Sequence, residues 1–197
     1  MLWFRSPLLR SSRLRSLWLH SPIYSLAKRD PLFTCRCTHN IAMSCPSLPL
    51  HPDSPWDPNY PIAKNQTPSA ISRDQVLTML RQGQKPGKDF LLIDLRQADH
   101  TGGTIRGSIN LPAQSLYPTL PTLYTLFASA DIKCIIWYCG SSKHRGLRAA
   151  AWMDDYIKEQ GNENIKSVML TGGVKGWANA GSEYTTLMEE YQEGAWH

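Results

Sequence analysis

Short apolar runs separated by amphipathic segments mark the second half of the chain. Phe90–Leu95 and Lys133–Tyr138 are mostly apolar without strict alternation, which predicts strands buried on both faces of a sheet. Ile165–Leu170 predicts a further strand and Ser108–Leu111 a weaker one. Because helical stretches separate these strands, the pattern predicts an α/β fold with a central, mostly parallel sheet and crossover helices.

The predicted helices alternate with these strands. Ser72 followed three residues later by Gln75 is a capping-box signature, which predicts that a helix begins there. The remaining predicted helices cover 113–129 with interruptions at Pro118 and Pro121, Gly146–Gln160, a short turn opened by Gly172-Gly173, and Glu183–Tyr191.

Composition and charge limit the class of protein. The 197 residues are 42% hydrophobic, which is enough for one domain with a core plus extensions. The net charge of the chain is +5. Residues 1–45 carry seven basic side chains and one acidic side chain, whereas the other 152 residues carry 14 basic and 15 acidic side chains. The net charge of the part predicted to fold is therefore −1, which argues against a nucleic-acid partner. No apolar run approaches the roughly 18 residues of a membrane span, so no transmembrane helix is predicted.

Four regions follow each other along the chain. Residues 1–45 form a basic leader rich in Arg, Ser and Leu, which predicts a mitochondrial transit peptide, with an untargeted extension as the alternative. Translation from Met43 would remove this leader and favour a cytoplasmic or nuclear protein. Residues 46–70 are predicted to be a proline-rich linker, 71–182 the catalytic domain with its core at 86–182, and 183–197 a C-terminal helix and tail.

Prolines recur at every third position from Pro46 to Pro61. Because polyproline II has three residues per turn, these rings would share one edge of an extended rod. We expect the rod to be a stiff spacer or to pack back on the domain through Trp56 and Tyr60. Docking into the aromatic groove of a partner is the alternative.

The cysteines divide into two groups. Their number, five, is odd, and three lie in the leader region, so they do not form a disulfide framework. Cys35-x-Cys37-x-His39 is half of a metal site without a second half, and no metal is predicted. Cys134 lies inside a predicted strand and is interpreted as a packing residue, whereas Cys139 follows the end of that strand.

The loop Cys139–Arg145 is the candidate active site. It lies between the strand that ends at Tyr138 and the helix that begins near Gly146, and ligands of open α/β sheets bind at the carboxyl ends of strands. A loop that enters a helix N-terminus can turn its N–H groups toward an anion, and the same field favours thiolate over thiol at Cys139. The planar guanidinium of Arg145 can donate parallel hydrogen bonds to two oxygens of a tetrahedral oxyanion.

The residues between Cys139 and Arg145 complete the predicted oxyanion-binding loop: Gly140, Ser141, Ser142, Lys143 and His144. The first three are small and leave the cradle open. The Ser142 hydroxyl is expected to hydrogen-bond the sulfur of Cys139. Lys143 and His144 at the rim suit an anionic substrate or form a solvated edge.

Three blocks of sequence resemble a known family. Cys139, Ser142, Arg145, Gly146 and Arg148 match the active-site loop of the cell-division-cycle dual-specificity phosphatases and of the related eukaryotic arsenate reductases, which share the rhodanese fold. Two further blocks are Asp94-Leu-Arg96 with Gly102–Asn110, similar to the family's Asp-x-Arg and Gly-Gly-His-Ile-x-Gly-Ala-x-Asn stretch, and Gly172–Trp177, similar to its Gly-Gly-x-x-Gly-Trp signature. The resemblance implies a rhodanese-like three-layer fold.

The sequence departs from the family pattern inside the loop, where Lys143 and His144 replace more acidic residues of the cell-cycle phosphatases, and at two positions outside the loop. Tyr138 stands where the phosphatases usually carry His, and Thr104 replaces the His of the Gly-Gly-His-Ile stretch. The resemblance implies a supporting role behind the loop for Asp94, Arg96 and Arg148. Asp94 is expected to orient the loop or pair with Arg145, and a structural salt bridge to Arg96 is equally consistent with the sequence.

The resemblance implies a cysteine-dependent enzyme with Cys139 and Arg145 as catalytic residues and no cofactor. Hydrolysis of a phosphate ester, including protein phosphotyrosine, through a cysteinyl-phosphate intermediate is the first interpretation. Arsenate reduction is the second, and it requires an external thiol such as glutathione or glutaredoxin because no second cysteine of the domain is placed to resolve the adduct. Thiosulfate-type sulfur transfer, which uses a loop one residue shorter, is third, and a non-catalytic binding module is fourth.

Overall fold

A computed structural model of the protein describes residues 60–196. The strands are β1 (Ala70–Ile71), β2 (Leu91–Asp94), β3 (Thr104–Ile105), β4 (Ile109–Asn110), β5 (Cys134–Tyr138), β6 (Lys166–Leu170) and β7 (Met188–Glu189). The helices are α1 (Arg73–Arg81), α2 (Leu116–Ser129), α3 (Arg145–Glu159), α4 (Gly173–Ala178) and α5 (Ser182–Thr185), with 3-10 turns at Ala113–Ser115 and Glu193–Ala195. The leader, the prolines before Pro61 and the Cys35–His39 motif lie outside the described residues.

Five strands form one parallel sheet in the order β1-β6-β5-β2-β4. The four strands predicted from apolar runs all belong to this sheet, and the predicted α/β class is confirmed. The register pairs Asp94 of β2 with Tyr138 of β5 on one side and with Asn110 of β4 on the other. Polar side chains from three strands therefore reach the same carboxyl edge.

Helices cover both faces of the sheet and create three layers. On one face α2 and α3 pack against Ile93, Ile135 and Trp137, and on the other α1 and α4 pack against Leu92 and Ile136. Because successive strand residues point to opposite faces, two cores require apolar runs without alternation. None of the helices in residues 60–196 has the length and apolar character needed to cross a membrane.

Helix α2 runs through both of its prolines, so the predicted interruption is wrong. Pro118 lies in the first turn, where a backbone N–H has no carbonyl partner within the helix. Pro121 lies one turn further on and leaves the carbonyl four residues before it without its usual partner. The buried side chains of Leu116, Leu120 and Phe127 anchor the helix on the sheet and outweigh this loss.

The predicted helix over Glu183–Tyr191 is also wrong. Helix α5 ends at Thr185, and β7 then pairs antiparallel with β3. The N–H of Arg106 extends this pairing by donating to the Leu187 carbonyl at 2.8 Å. The sequence of this segment is ambiguous, because its spacing of apolar residues suits a helix as well as a turn followed by a strand. The strand forms because β3 offers unpaired backbone groups at its edge.

The end of the proline-rich linker packs on the domain. The Tyr60 ring contacts Tyr117 and Trp152 at centroid distances of 5.2 and 5.9 Å. The N–H groups of Lys64 and Asn65 donate to the Asp155 carboxylate at 2.6 and 3.0 Å. This contact agrees with the packing alternative for Tyr60, whereas Trp56 lies outside the described residues.

We expect Ser72→Ala to lower the free energy of unfolding by about 1 kcal/mol. The Ser72 hydroxyl accepts a hydrogen bond from the Gln75 N–H at 3.1 Å, and the Gln75 side chain accepts one from the Ser72 N–H at 2.8 Å. Urea denaturation measures the change. Ser115→Ala is the matched control, because Ser115 precedes α2 without a capping hydrogen bond from its side chain; equal losses in the two variants would contradict the capping role.

Candidate active site

The loop Cys139–Arg145 lies at the carboxyl edge of the sheet, between the end of β5 and the start of α3. It opens into a cavity of about 700 Å³. Several parts of the chain outside the loop also line this cavity: the segment around Ile62–Gln66, the turn that contains Asp99 and Thr101, helices α3 and α4, and the C-terminal Ala195-Trp196. The predicted loop position is thus also the position of a cavity large enough for a small molecule.

The sulfur of Cys139 faces an N–H group of its own loop. The Ser142 N–H donates to this sulfur at 3.2 Å, while the Ser142 hydroxyl accepts from the Cys139 N–H at 3.3 Å. The expected hydrogen bond from the Ser142 hydroxyl to the sulfur is therefore replaced by one from the backbone. The loop reaches this closed shape because Ser142 adopts a left-handed conformation with φ of 59°.

Helix α4 holds the loop from the neighbouring strand. The N–H groups of Val174 and Lys175 donate to the carbonyls of Cys139 and Gly140 at 3.0 and 2.9 Å. Because these carbonyls are held on the α4 side, the first residues of the loop have a fixed backbone orientation. The Gly172–Trp177 signature thus has a physical role at this site, which the sequence resemblance did not specify.

Gly173 makes this close approach possible. A Cβ atom at this position would lie 2.3 Å from the Cys139 carbonyl oxygen and 2.6 Å from that of Gly140. Its φ of 59° is also a left-handed conformation that favours glycine. Gly173 is therefore required where helix α4 meets the loop.

Arg145 forms a two-pronged ion pair with Asp99. Nη1 donates to Oδ1 of Asp99 at 2.9 Å, and Nη2 donates to Oδ2. Burial alone would raise the pKa of Asp99, but hydrogen bonds from Arg145 and the Gln97 backbone, with the charge of Arg145, lower this pKa to about 2. The hydrogen bond to Asp99, opposed by burial and helped by the charges of Cys139 and Asp99, raises the pKa of Arg145.

Asp94 pairs with Arg96 and not with Arg145. Its carboxylate accepts from Nε and Nη2 of Arg96 at 3.0 and 2.6 Å, and both side chains are almost completely buried. Arg96 also donates to the carbonyls of Thr101 and Gly103 at 3.0 and 2.7 Å. Of the two alternatives for Asp94, the structure contains the salt bridge to Arg96, which also holds the turn that carries Asp99.

Tyr138 and Thr104, the two departures from the family pattern outside the loop, contact each other. Their hydroxyl groups lie 2.7 Å apart, and the Thr104 hydroxyl also donates to Asp94 at 2.9 Å. The Tyr138 hydroxyl donates to Ser108 at 2.7 Å. Burial, with a smaller effect from the Asp94 charge, raises the pKa of Tyr138 well above its usual value. Tyr138 is therefore a neutral hydrogen-bonding group behind Cys139.

Basic side chains surround the cavity. Lys143 and His144 lie at the rim, as the sequence predicts, and Arg148 lines the adjacent wall. Arg148 donates to the Tyr60 carbonyl at 2.8 Å and lies over the Trp152 ring. It therefore supports the segment packed on α3.

Sequence reasoning missed several residues of this site. Asp99 is five residues after Asp94, in a turn where position alone does not reveal a contact with Arg145. Lys175 belongs to the Gly172–Trp177 signature without a role of its own there, and it lines the cavity. Trp196, whose Nε1 donates to the Gly102 carbonyl at 2.9 Å, comes from a tail with no recognisable pattern. Among residues 60–196 no group of three or more His, Cys, Asp or Glu side chains could hold a metal ion.

Comparisons with known sequences match most of the domain. The pattern of the rhodanese-like domain family matches residues 72–180, more than half of the chain. Arsenical-resistance protein 2 of Saccharomyces cerevisiae is 29% identical over 97 residues, which are 46% of this chain and 75% of that protein. Arsenate reductase 2.1 of Oryza sativa subsp. japonica is 29% identical over 116 residues, which are 57% of this chain and 69% of that protein.

Solved structures share the same architecture. A yeast protein tyrosine phosphatase of the rhodanese family aligns with a TM-score of 0.58 at 17% identity, covering 68% of this chain and 99% of that one. The As–Sb reductase from Leishmania major aligns with a TM-score of 0.55 at 21% identity, covering 61% of this chain and 84% of that one. At these identities the likeness shows a common fold.

We expect Gly173→Ala to disrupt the loop, because its Cβ would overlap the carbonyls of Cys139 and Gly140. Phosphate binding, measured by calorimetry, should weaken at least about tenfold, in line with the cost of misplacing binding groups. Gly172→Ala is the matched control: its φ is also positive, at 78°, but its Cβ would meet only the Gly176 Cα at 3.4 Å. Equal phosphate affinities in the two variants would show that α4 does not shape the loop.

Proposed function

The chain belongs to the rhodanese-like domain family, and on this basis we propose that it is a thiol-dependent arsenate reductase with Cys139 as its nucleophile. Two curated relatives, at 29% identity, are arsenical-resistance protein 2 of yeast and an arsenate reductase of rice. A phosphatase acting on a phosphate ester, the first interpretation of the sequence, is the second candidate. Both reactions use one thiolate and one tetrahedral oxyanion.

The observation that carries the proposal is the environment of the Cys139 sulfur. It accepts a hydrogen bond from the Ser142 N–H, and Arg145 lines the same cavity. Lys143 and Lys175 add positive charge to the wall of the cavity. Arsenate has the shape and charge of phosphate, so a cradle of N–H groups and cations at this sulfur suits it.

The first chemical step forms a bond between sulfur and arsenic. The thiolate of Cys139 attacks arsenic(V), and one arsenate oxygen leaves as water after it takes up protons. Arsenic keeps its oxidation state in this adduct. Arg145 and the loop N–H groups stabilise the negative charge on the remaining oxygens.

Reduction requires a second thiol. An external thiol attacks the sulfur of Cys139, the sulfur–arsenic bond breaks, and its electron pair stays on arsenic, which leaves as arsenite. Cys139 is then part of a mixed disulfide, and a further thiol, glutathione or a glutaredoxin, releases it. The two thiols supply the two electrons that arsenic gains.

The resolving thiol is proposed to be external because of the position of Cys134. It lies at the start of β5, and Cys139 follows the end of the same extended strand. Five residues of strand span about 16 Å, too far for a disulfide. The cavity, much larger than one oxyanion, leaves room above the sulfur for a thiol to approach.

The size of the cavity is also the observation that favours a phosphatase, because the organic part of an ester would occupy the same space. An ester, however, needs a proton for its leaving oxygen. Asp99 is the carboxyl group in the lining of the cavity, and with a pKa of about 2 it is ionised at neutral pH. We therefore rank the phosphatase second.

We expect the full-length protein to form arsenite from arsenate in the presence of glutathione and glutaredoxin, and Cys139→Ser to abolish this turnover while phosphate still binds. The serine oxygen keeps the shape of the cradle but is a poor nucleophile. Cys134→Ser is the matched control and should retain turnover. An aryl phosphate is tested in parallel.

The outcomes of this assay separate the candidates. Cys139-dependent phosphate release without arsenite formation would replace the reductase by the phosphatase. No turnover of either substrate by a folded protein that binds phosphate would indicate a binding module.

We expect Arg145→Lys to weaken phosphate binding and to lower kcat/KM by about tenfold or more, because an ammonium group cannot present two parallel N–H donors. Calorimetry and initial-rate kinetics measure the two quantities. Arg81→Lys changes an exposed arginine that pairs with Glu183 outside the cavity and should change neither. Unchanged phosphate affinity in Arg145→Lys would refute the role of Arg145.

A further inference from the structure

Arg145, the residue assigned to the oxyanion, also pairs with a carboxylate from outside the loop. Asp99 accepts from both terminal nitrogens, Nη1 and Nη2. This carboxylate comes from the turn after β2, a different part of the chain from the loop. In a pair of this geometry the carboxylate either competes with the oxyanion for the guanidinium or orients the guanidinium for oxyanion binding.

We propose that Asp99 is a positioning residue, which grips the far end of Arg145 so that the remaining N–H groups of the guanidinium face Cys139 and the bound oxyanion. The proposal rests on the proposed oxyanion chemistry and adds a residue that neither the sequence resemblance nor the loop motif includes. Asp99 acts through Arg145 and does not itself bind the oxyanion.

The number of N–H donors on the guanidinium favours the orienting role of Asp99 over competition with the oxyanion. Arginine has five N–H groups in a fixed plane, and Asp99 occupies one on each terminal nitrogen. Three N–H groups remain, including the one on Nε. The hydrogen bond to Asp99, opposed by burial and helped by the charge of Cys139, raises the pKa of Arg145, and Arg145 and Cys139 line the same cavity.

Asp99 itself is held in place. Its Oδ1 accepts from the Gln97 N–H at 3.0 Å. The turn that carries it is anchored by Arg96, which donates to the carbonyls of Thr101 and Gly103 and is paired with buried Asp94. A carboxylate on an anchored turn can fix the rotamer of a long side chain, which otherwise loses conformational entropy when it binds a ligand.

The helix that carries Arg145 does not stabilise it. Arg145 is the first residue of α3, where the N–H groups of the first turn and the helix dipole disfavour a cation. The first turn of α3 contains no acidic residue, and the preceding His144 makes no capping hydrogen bond with its side chain. Asp99 supplies the counter-charge that keeps Arg145, with only 14% of its side chain exposed, beside the loop.

The test compares Asp99→Asn with Asp131→Asn in the full-length protein. Both variants lose one negative charge by the same chemical change, but Asp131 is exposed and pairs with Lys133 on a distant turn. Four quantities are measured: the dissociation constant of inorganic phosphate, KM and kcat for arsenate, and the ¹⁵N side-chain spectrum of Arg145, assigned through Arg145→Lys. Thermal unfolding is followed to separate local from global effects.

If Asp99 positions Arg145, Asp99→Asn weakens phosphate binding and raises KM by about tenfold, as expected for a misplaced binding group. The Nη signals of Arg145 should merge as rotation of the guanidinium becomes faster. Asp99→Glu should restore part of the affinity, and Asp131→Asn should resemble the wild type. Tighter phosphate binding or a lower KM in Asp99→Asn would instead show that the carboxylate competes with the oxyanion and would overturn the proposal.

Failure of the proposed function gives a different result. If the wild-type protein binds phosphate but does not reduce arsenate, the reductase proposal fails, and the ratio of phosphate affinities still decides the role of Asp99. If the wild type binds no phosphate, both oxyanion chemistry and the role of Asp99 in it are refuted. An unchanged Arg145 spectrum in Asp99→Asn would refute the positioning role even where the oxyanion chemistry holds.

Discussion

The buried ion pair between Asp94 and Arg96 connects the end of β2 to two parts of the site, the turn that carries Asp99 and the ring of Trp196. Asp94 has no exposed surface and Arg96 only 2%, so removal of either partner would leave an unpaired buried charge at a cost of about 3–5 kcal/mol. Arg96 fixes the turn that carries Asp99 through two backbone carbonyls and lies against the ring of Trp196. One strand end thereby sets the position of residues far apart in sequence.

The loop is held on the other side by helix α4. Two N–H groups of α4 bind the carbonyls at the start of the loop, and the loop closes on itself through the reciprocal hydrogen bonds of Cys139 and Ser142. Both arrangements are made by groups of the chain itself. A site with its donors already oriented does not have to reorganise when charge develops on an oxyanion, which is the condition for strong electrostatic stabilisation.

Several expectations failed because local patterns compete with contacts made elsewhere. The prolines of α2 were expected to break it, yet the buried face of the helix holds it together. The C-terminal segment pairs with β3 as a strand because that edge has open hydrogen-bonding groups. Asp99 carries no signal of its own, since an acidic residue in a polar turn is ordinary, and only the fold brings it to Arg145.

What the sequence by itself determined is the fold class and the place of the candidate site along the chain. Apolar runs of strand length identify the parallel sheet, and a cysteine after such a run with an arginine at the next helix start indicates an anion site, because strand ends and helix starts meet at one edge. Only the tertiary structure decided the partners: Asp94 pairs with Arg96, Arg145 with Asp99, and Gly173 with the loop backbone. These contacts depend on distances between segments, which spacing along the chain does not encode.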